Sequence, residues 1–130
     1  MEEHQLNILS AEDDPDDRLF IKKAIDEAGI QGRVDFVPDG KSLIEKLTEQ
    51  YDGHLPDILL LDLNMPFMDG LEVLKVLREH EDIRDLPVII LTTSSEQTDI
   101  DRCYSLGAKF FVTKPDSFYE LVEVARTFYK

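Results

Sequence analysis

The chain has 130 residues, with 14 Lys+Arg against 28 Asp+Glu and a formal net charge of −14. That length fits one domain spanning 1–130, and an apolar share of 42% is enough to fill a core, which argues against a wholly disordered chain. The acidic balance argues against nucleic acid or an anionic membrane as the main partner, because phosphates repel it, and the single cysteine excludes an intramolecular disulfide.

In chain order, short apolar runs alternate with amphipathic segments. Leu6–Ala11 reads as a first strand. Asp14-Pro15 then offers a helix N-cap followed by proline at the first helical position. Phe20, Ala24, Ile25 and Ala28 form an apolar stripe, and Gly29 is a helix stop. Val34–Val37 is a second strand, followed by the stripe Leu43, Ile44 and Leu47. Ile58–Leu61 is unbroken Ile and Leu, as expected for a strand buried on both faces. Asp69 and Glu72 have capping-box spacing ahead of the stripe Leu71, Leu74 and Leu77. Val88–Leu91 is the fourth strand; Ser94 and Gln97 repeat the capping spacing before Ile100, Cys103 and Tyr104. Gly107 is a second helix stop, and Phe110–Val112 is the fifth strand. Ser117 and Glu120 open the last helix, whose stripe is Phe118, Leu121, Val122, Ala125 and Tyr129, with Val124 and Phe128 widening it. Five strand–helix units with short connections predict an α/β fold, a doubly wound five-stranded parallel sheet with five helices.

Ligands in such sheets bind beyond the carboxyl ends of the strands. Four of the five ends carry polar groups: Glu12-Asp13-Asp14, Asp62, Thr92-Thr93-Ser94-Ser95 and Thr113-Lys114-Pro115. Asp62 directly follows the third apolar run. Glu12 and Asp13 add negative charge at the same edge, and a hard divalent cation such as magnesium is the usual compensation. Asp14 reads as a cap, and Asp16 and Asp17 as acids favoured by the first helical turn. Lys114 supplies positive charge for Asp62 or a phosphoryl oxygen, and a cis bond to Pro115 would fix its direction. Thr92 adds a hydroxyl at a strand end, while Ser94 or Ser95 serves as the cap of the fourth helix. A carboxylate nucleophile, a cation, a hydroxyl and a lysine together suit phosphoryl transfer. The chain has neither a Walker loop nor a GxGxxG fingerprint, so a bound nucleotide donor and a dinucleotide are both disfavoured.

At this spacing, the landmarks Ile8-Leu9-Ser10-Ala11-Glu12-Asp13-Asp14, Leu61-Asp62-Leu63-Asn64-Met65-Pro66, Met68-Asp69-Gly70, Pro87–Thr92 and Lys114-Pro115 resemble the receiver domain of a two-component response regulator. The likeness runs from Leu6 to about Phe128. Thr92-Thr93-Ser94 and Arg102–Ala108 are most similar to single-domain regulators paired with phytochrome-type histidine kinases. The resemblance implies a flavodoxin-like fold and a phosphoacceptor signalling protein rather than an enzyme with a separate substrate. Asp62 would take a phosphoryl group from a kinase phosphohistidine, and the protein would catalyse its own phosphorylation and dephosphorylation. Glu12, Asp13, Asp62 and the Asn64 backbone carbonyl would hold Mg2+, and Thr92 and Lys114 would bind the phosphoryl oxygens. Thr92 and Phe111 would form the switch. Glu12 replaces the aspartate often seen first in the acidic pair, and Phe111 lacks the hydroxyl of a tyrosine at its position.

Charge is unevenly placed. Residues 1–65 carry 16 acids and 6 bases, whereas 97–130 carries five of each and holds seven of the eleven aromatics. With no output domain expected, output would pass through protein contact, with the 97–130 face as a candidate for partner binding or homodimerisation. The N-terminus, MEEHQLN, lacks the basic and apolar segments of a signal peptide, no apolar run is long enough for a bilayer, and a cytoplasmic location is expected. Cys103 reads as a small buried hydrophobe, His4, His54 and His80 have no metal-ligand spacing, and Phe67 reads as packing beside the site or covering its loop. Three other readings are weaker. A flavodoxin-like carrier would need a phosphate loop where Glu12-Asp13-Asp14-Pro15 repels one. A degenerate docking receiver would have lost the acceptor, an acid or the lysine. An aspartyl-intermediate hydrolase would need a carboxylate where Asn64 stands.

Overall fold

In a computed structural model, which describes residues 6–49, 55–65, 67–114 and 118–128, five strands and five helices alternate along the chain. They are β1 (Leu6–Ala11), α1 (Pro15–Glu27), β2 (Gly32–Val37), α2 (Gly40–Thr48), β3 (Ile58–Leu61), α3 (Gly70–Glu79), β4 (Val88–Thr92), α4 (Gln97–Ser105), β5 (Phe110–Thr113) and α5 (Phe118–Phe128). All four strand pairings are parallel, in the order β2-β1-β3-β4-β5. The order reverses between β1 and β3, which makes the crevice beyond their carboxyl ends the expected ligand position. His4, His54, Pro66, the Lys114–Pro115 bond, Ser117 and Tyr129 lie outside the described residues, as does the side chain of Phe128.

Strand side chains alternate between two cores, one on each face of the sheet. Leu59 and Leu61 of β3 and Val88 and Ile90 of β4 face Leu43, Leu47, Val73, Leu74, Leu77 and Cys103 from α2, α3 and α4. Ile58 and Leu60, with Ile89 and Leu91, face Ile21, Ala24, Ile25, Leu121, Val122 and Ala125 from α1 and α5. This two-sided burial is why Ile58–Leu61 and Val88–Leu91 have no polar positions to alternate with. Val124 joins the second core at 8% exposure, so it does not widen an outer face of α5 as its sequence position suggests. Tyr104 departs from its stripe in the other direction: it is exposed, and its hydroxyl accepts the Phe111 N–H of β5 at 3.1 Å.

Local signals place most helix ends. Asp14 caps α1 through the N–H groups of Asp16 and Asp17, with Pro15 at the first position. Asp69 caps α3 by accepting from Glu72 N at 2.9 Å, and Asp39 caps α2 through Ser42 N at 2.7 Å. Gly29 and Gly107 take positive φ values of 73° and 93° just beyond α1 and α4. The start of α4 differs from the Ser94–Gln97 capping box. Its flanking residue is Glu96, with no side-chain cap. Ser94 is drawn back to the strand end instead, its N–H 3.4 Å from Thr92 Oγ1 and its hydroxyl donating to Asp99, while Gln97 bonds Asp101.

Gly70 brings α3 against the end of β3. A β-carbon there would lie 2.8 Å from both Asp62 O and Leu63 Cα. Gly70→Ala is therefore expected to destabilise the domain by about 1–3 kcal/mol. Urea denaturation monitored by circular dichroism reads this as a lower midpoint.

Candidate functional site

Four charged side chains meet at the carboxyl edge, each delivered by a different element. Glu12 follows β1, Asp17 lies in the first turn of α1, Asp62 follows β3 and Lys114 follows β5. The carboxylate oxygens of Glu12, Asp17 and Asp62 lie within 4.8 Å of one another. The Lys114 ammonium donates to all three, hydrogen-bonding Glu12 Oε1 and reaching Asp17 Oδ2 at 2.9 Å and Asp62 Oδ2 at 3.1 Å. Lys114 and Glu12 are each only 2% exposed at the side chain. An ammonium has three donors, and here each has a carboxylate partner.

Backbone geometry fixes these groups. Glu12 N donates to Val37 O, and Arg18 Nε to Glu12 O at 2.7 Å, which ties β1's exit to α1. Asp62 Oδ1 accepts Asn64 N at 3.0 Å, turning the loop immediately after β3. Lys114 N donates to Thr92 O at 2.7 Å, so the parallel ladder runs on past β5 and sets the lysine beside the end of β4. Thr92 is fully buried, with Oγ1 3.5 Å from Asn64 Nδ2.

The site's electrostatics follow from burial. Desolvation raises the Glu12 carboxyl above its ordinary value. The hydrogen bond and charge of Lys114 and the Asp14 N–H pull it back only in part, and Asp62 adds to the rise. Desolvation by itself lowers Lys114. Hydrogen bonds to Glu12 and Asp17, with the charges of Asp62 and Glu12, more than reverse this, so the ammonium is held above the usual lysine range. Cys103, wholly buried behind α4, is pushed up to about 11 by burial and by Asp99, which keeps it a thiol.

The sequence-predicted residues thus fall into two groups. Glu12, Asp62 and Lys114 are brought into contact, with Thr92 at the adjoining strand end. Asp13 is exposed and stands outside the converging carboxylates. Asp17 is the member that sequence reasoning passed over as a first-turn acid. Its available signal was helical spacing from the Asp14 cap, which turns position 17 back toward the strand ends. Phe111 is half-buried and packs on the first core. Asn64 and Phe67 are exposed, so Phe67 does not pack into the loop that carries it.

A doubly wound sheet with carboxylates and a buried lysine at its switch point defines a phosphoryl- or metal-handling α/β domain. The comparisons narrow the class. The profile of the response regulator receiver domain matches residues 8–126. The chain is 37% identical over 116 residues to the probable methanogenesis regulatory protein FilR2 of Methanothrix harundinacea, covering 88% of this chain and 75% of FilR2. It is 30% identical over 122 residues to the response regulator Rcp1 of Synechocystis, covering 92% of this chain and 83% of Rcp1. The crystal structure of the phosphorylated cyanobacterial phytochrome response regulator RcpA superposes with a TM-score of 0.81 at 29% identity, over 95% of this chain and 91% of RcpA. The Mn(2+)-bound form of Rcp1 gives 0.79 at 28% identity, over 94% and 90%. The chain belongs to the response regulator receiver domains, the phosphoacceptor modules of two-component signalling.

Removing Lys114 leaves Glu12 buried against two other acids. Lys114→Met is expected to cost about 3 kcal/mol near neutral pH in metal-free buffer. An acid whose folded pKa is raised contributes most below its ordinary value and loses stability as pH rises through the folded one. Without the ammonium the Glu12 carboxyl rises further. The deficit against wild type is therefore smallest near about pH 5 and grows toward about pH 8, read from urea midpoints across that range.

Proposed function

We propose that Asp62 is the residue that accepts the phosphoryl group, from the phosphohistidine of a histidine kinase of the phytochrome type. The observation that carries this reading is the Asp62 carboxylate held 3.1 Å from the buried Lys114 ammonium, at the strand end next to the Thr92 hydroxyl. An Asp62 oxygen attacks phosphorus, the phosphorus–nitrogen bond breaks, and its electron pair returns to the donor imidazole. The product is an aspartyl phosphate. Lys114 and Thr92 then bind phosphoryl oxygens, the first by charge and the second by its hydroxyl. Attack by water on the acyl phosphate restores the carboxylate, which makes dephosphorylation the protein's own reaction as well.

The site's charge suits a divalent cation, since three carboxylates against one ammonium leave two negative charges uncompensated. Magnesium is the reading that fits an all-oxygen donor set facing a phosphoryl group. Glu12, Asp62 and the Asn64 carbonyl would hold it, and Asp13 keeps its assignment as the further ligand. It is exposed directly after Glu12 at the same strand end. Bound there, the ion supplies charge neutralisation during transfer.

The output reading is a change at the face built from α4, β5 and α5 in a cytoplasmic regulator. Thr92 and Phe111 are the switch pair, and a second copy of the chain is the preferred partner. Exposed Tyr104 and Tyr119 on this face support it. Among the described residues no helix is long and apolar enough to cross a membrane.

Incubation with acetyl phosphate and magnesium is expected to add one phosphate-sized increment to the intact mass. The increment should disappear in Asp62→Asn and fall sharply when magnesium is chelated. An increment that persists in Asp62→Asn would remove the acceptor assignment. Sedimentation with and without beryllofluoride tests the partner: dimer formation favoured by the analogue is expected, and a monomer in both states at high concentration refutes it.

A further inference from the structure

The β3–α3 loop contains one residue that is costly twice over. Phe67 has φ +69°, the left-handed region that a bulky L-residue rarely enters. It is also 86% exposed, more than any other large hydrophobic residue described, with Tyr119 next at 74%. The other large apolar residues described in the loop behave in the opposite way. Leu63 and Met65 are buried, and Met68 packs on the first core. The loop therefore has an inner face that satisfies the fold and a phenyl ring turned largely to solvent.

The loop cannot relax this away. Its base is closed by Gly70 N–H to Leu63 O at 3.1 Å, its entry by Asn64 N–H to Asp62 Oδ1, and its exit by the Asp69 cap of α3. Phe67 thus sits at the crown of a short loop pinned at both ends beside Asp62. Strained backbone at a residue this exposed is a marker of function, argued from the outlier to the role.

We propose that Phe67 is a docking anchor for the protein phosphodonor: its ring enters an apolar recess on the donor surface next to the phosphohistidine. The inference rests on the phosphoacceptor reading of Asp62. The occupant follows from geometry, because a donor that brings phosphorus to an Asp62 oxygen must cover the loop that begins at Asp62. Charge narrows it further. Asp14 and Asp16 are exposed on the same edge, so a recess rimmed by basic side chains is the complementary one. A small-molecule donor needs neither feature. Phe67 is accordingly a specificity-determining residue, not a catalytic one.

The test compares two donors on the full chain. The small donor is acetyl phosphate. The protein donors are the purified, autophosphorylated transmitter domains of all histidine kinases in the source genome, and the one that labels wild type fastest is used for kinetics. Phe67→Asn removes the ring and places a residue that tolerates positive φ. It is expected to raise the urea midpoint, to leave the acetyl phosphate labelling rate and the phosphoryl lifetime within about twofold, and to raise KM for the protein donor about tenfold or more with little change in kcat. Phe67→Tyr, which keeps the ring, should restore KM to within about threefold of wild type. An unchanged KM in Phe67→Asn overturns the proposal. Slowed acetyl phosphate labelling or a shortened lifetime overturns it too, by placing Phe67 in the reacting site or its water shield. Labelling of wild type by acetyl phosphate but by no transmitter removes the protein donor and this inference, while leaving Asp62 as acceptor. Labelling by neither removes the phosphoacceptor reading itself.

Discussion

Everything at the carboxyl edge depends on one ammonium group. Lys114 is buried, and it stays charged because three carboxylates face it. The dependence is mutual: Glu12 is equally buried, and without the lysine it would be a desolvated anion beside two more. A buried pair of this kind is not a strong source of net stability, because desolvation offsets much of the attraction. Its value is positional. It holds together the ends of β1, β3 and β5 and the first turn of α1, while leaving the site two negative charges short of neutrality. That residual charge is concentrated at one edge of the sheet.

The fold serves this arrangement through its two cores. Because β1 and β3 are central strands covered on both faces, Glu12 and Asp62 emerge from rigid, dry elements rather than from loops. The glycine at position 70 lets α3 close against the end of β3, and the ladder bond from Lys114 N to Thr92 O carries β5's direction one residue beyond the strand. Loops are left free to vary around a fixed charge cluster, which is how one scaffold accommodates different partners.

The contact between α4 and β5 takes a particular form here. Phe111 has no hydroxyl, yet a tyrosine hydroxyl does reach its position: Tyr104 on α4 accepts the Phe111 backbone N–H. This bond also occupies a donor on an edge strand that would otherwise be open to another chain. Helix α4 and strand β5 are thereby linked at Phe111.

Much of this was legible in the residues themselves. Alternation of unbroken apolar runs with helical stripes determined the fold class, since burial on two faces demands those runs. The Asp14, Asp69 and Gly107 signals determined helix ends, because caps and positive φ act within a few residues. Glu12, Asp62, Thr92 and Lys114 were readable because each lies within two residues of the end of an apolar run, and a parallel sheet gathers all such ends at one edge. What the tertiary structure decided was contact. Asp17 rather than Asp13 meets Lys114, because helical rotation after the Asp14 cap sets which acid turns inward. Ser94 leaves its helix for the end of β4, and Val124 turns into the core, because neighbours on other elements outweigh local pattern. The outward, strained Phe67 was invisible for the same reason: its conformation is imposed by a loop closed at Leu63 and Gly70, and no local propensity of phenylalanine encodes it.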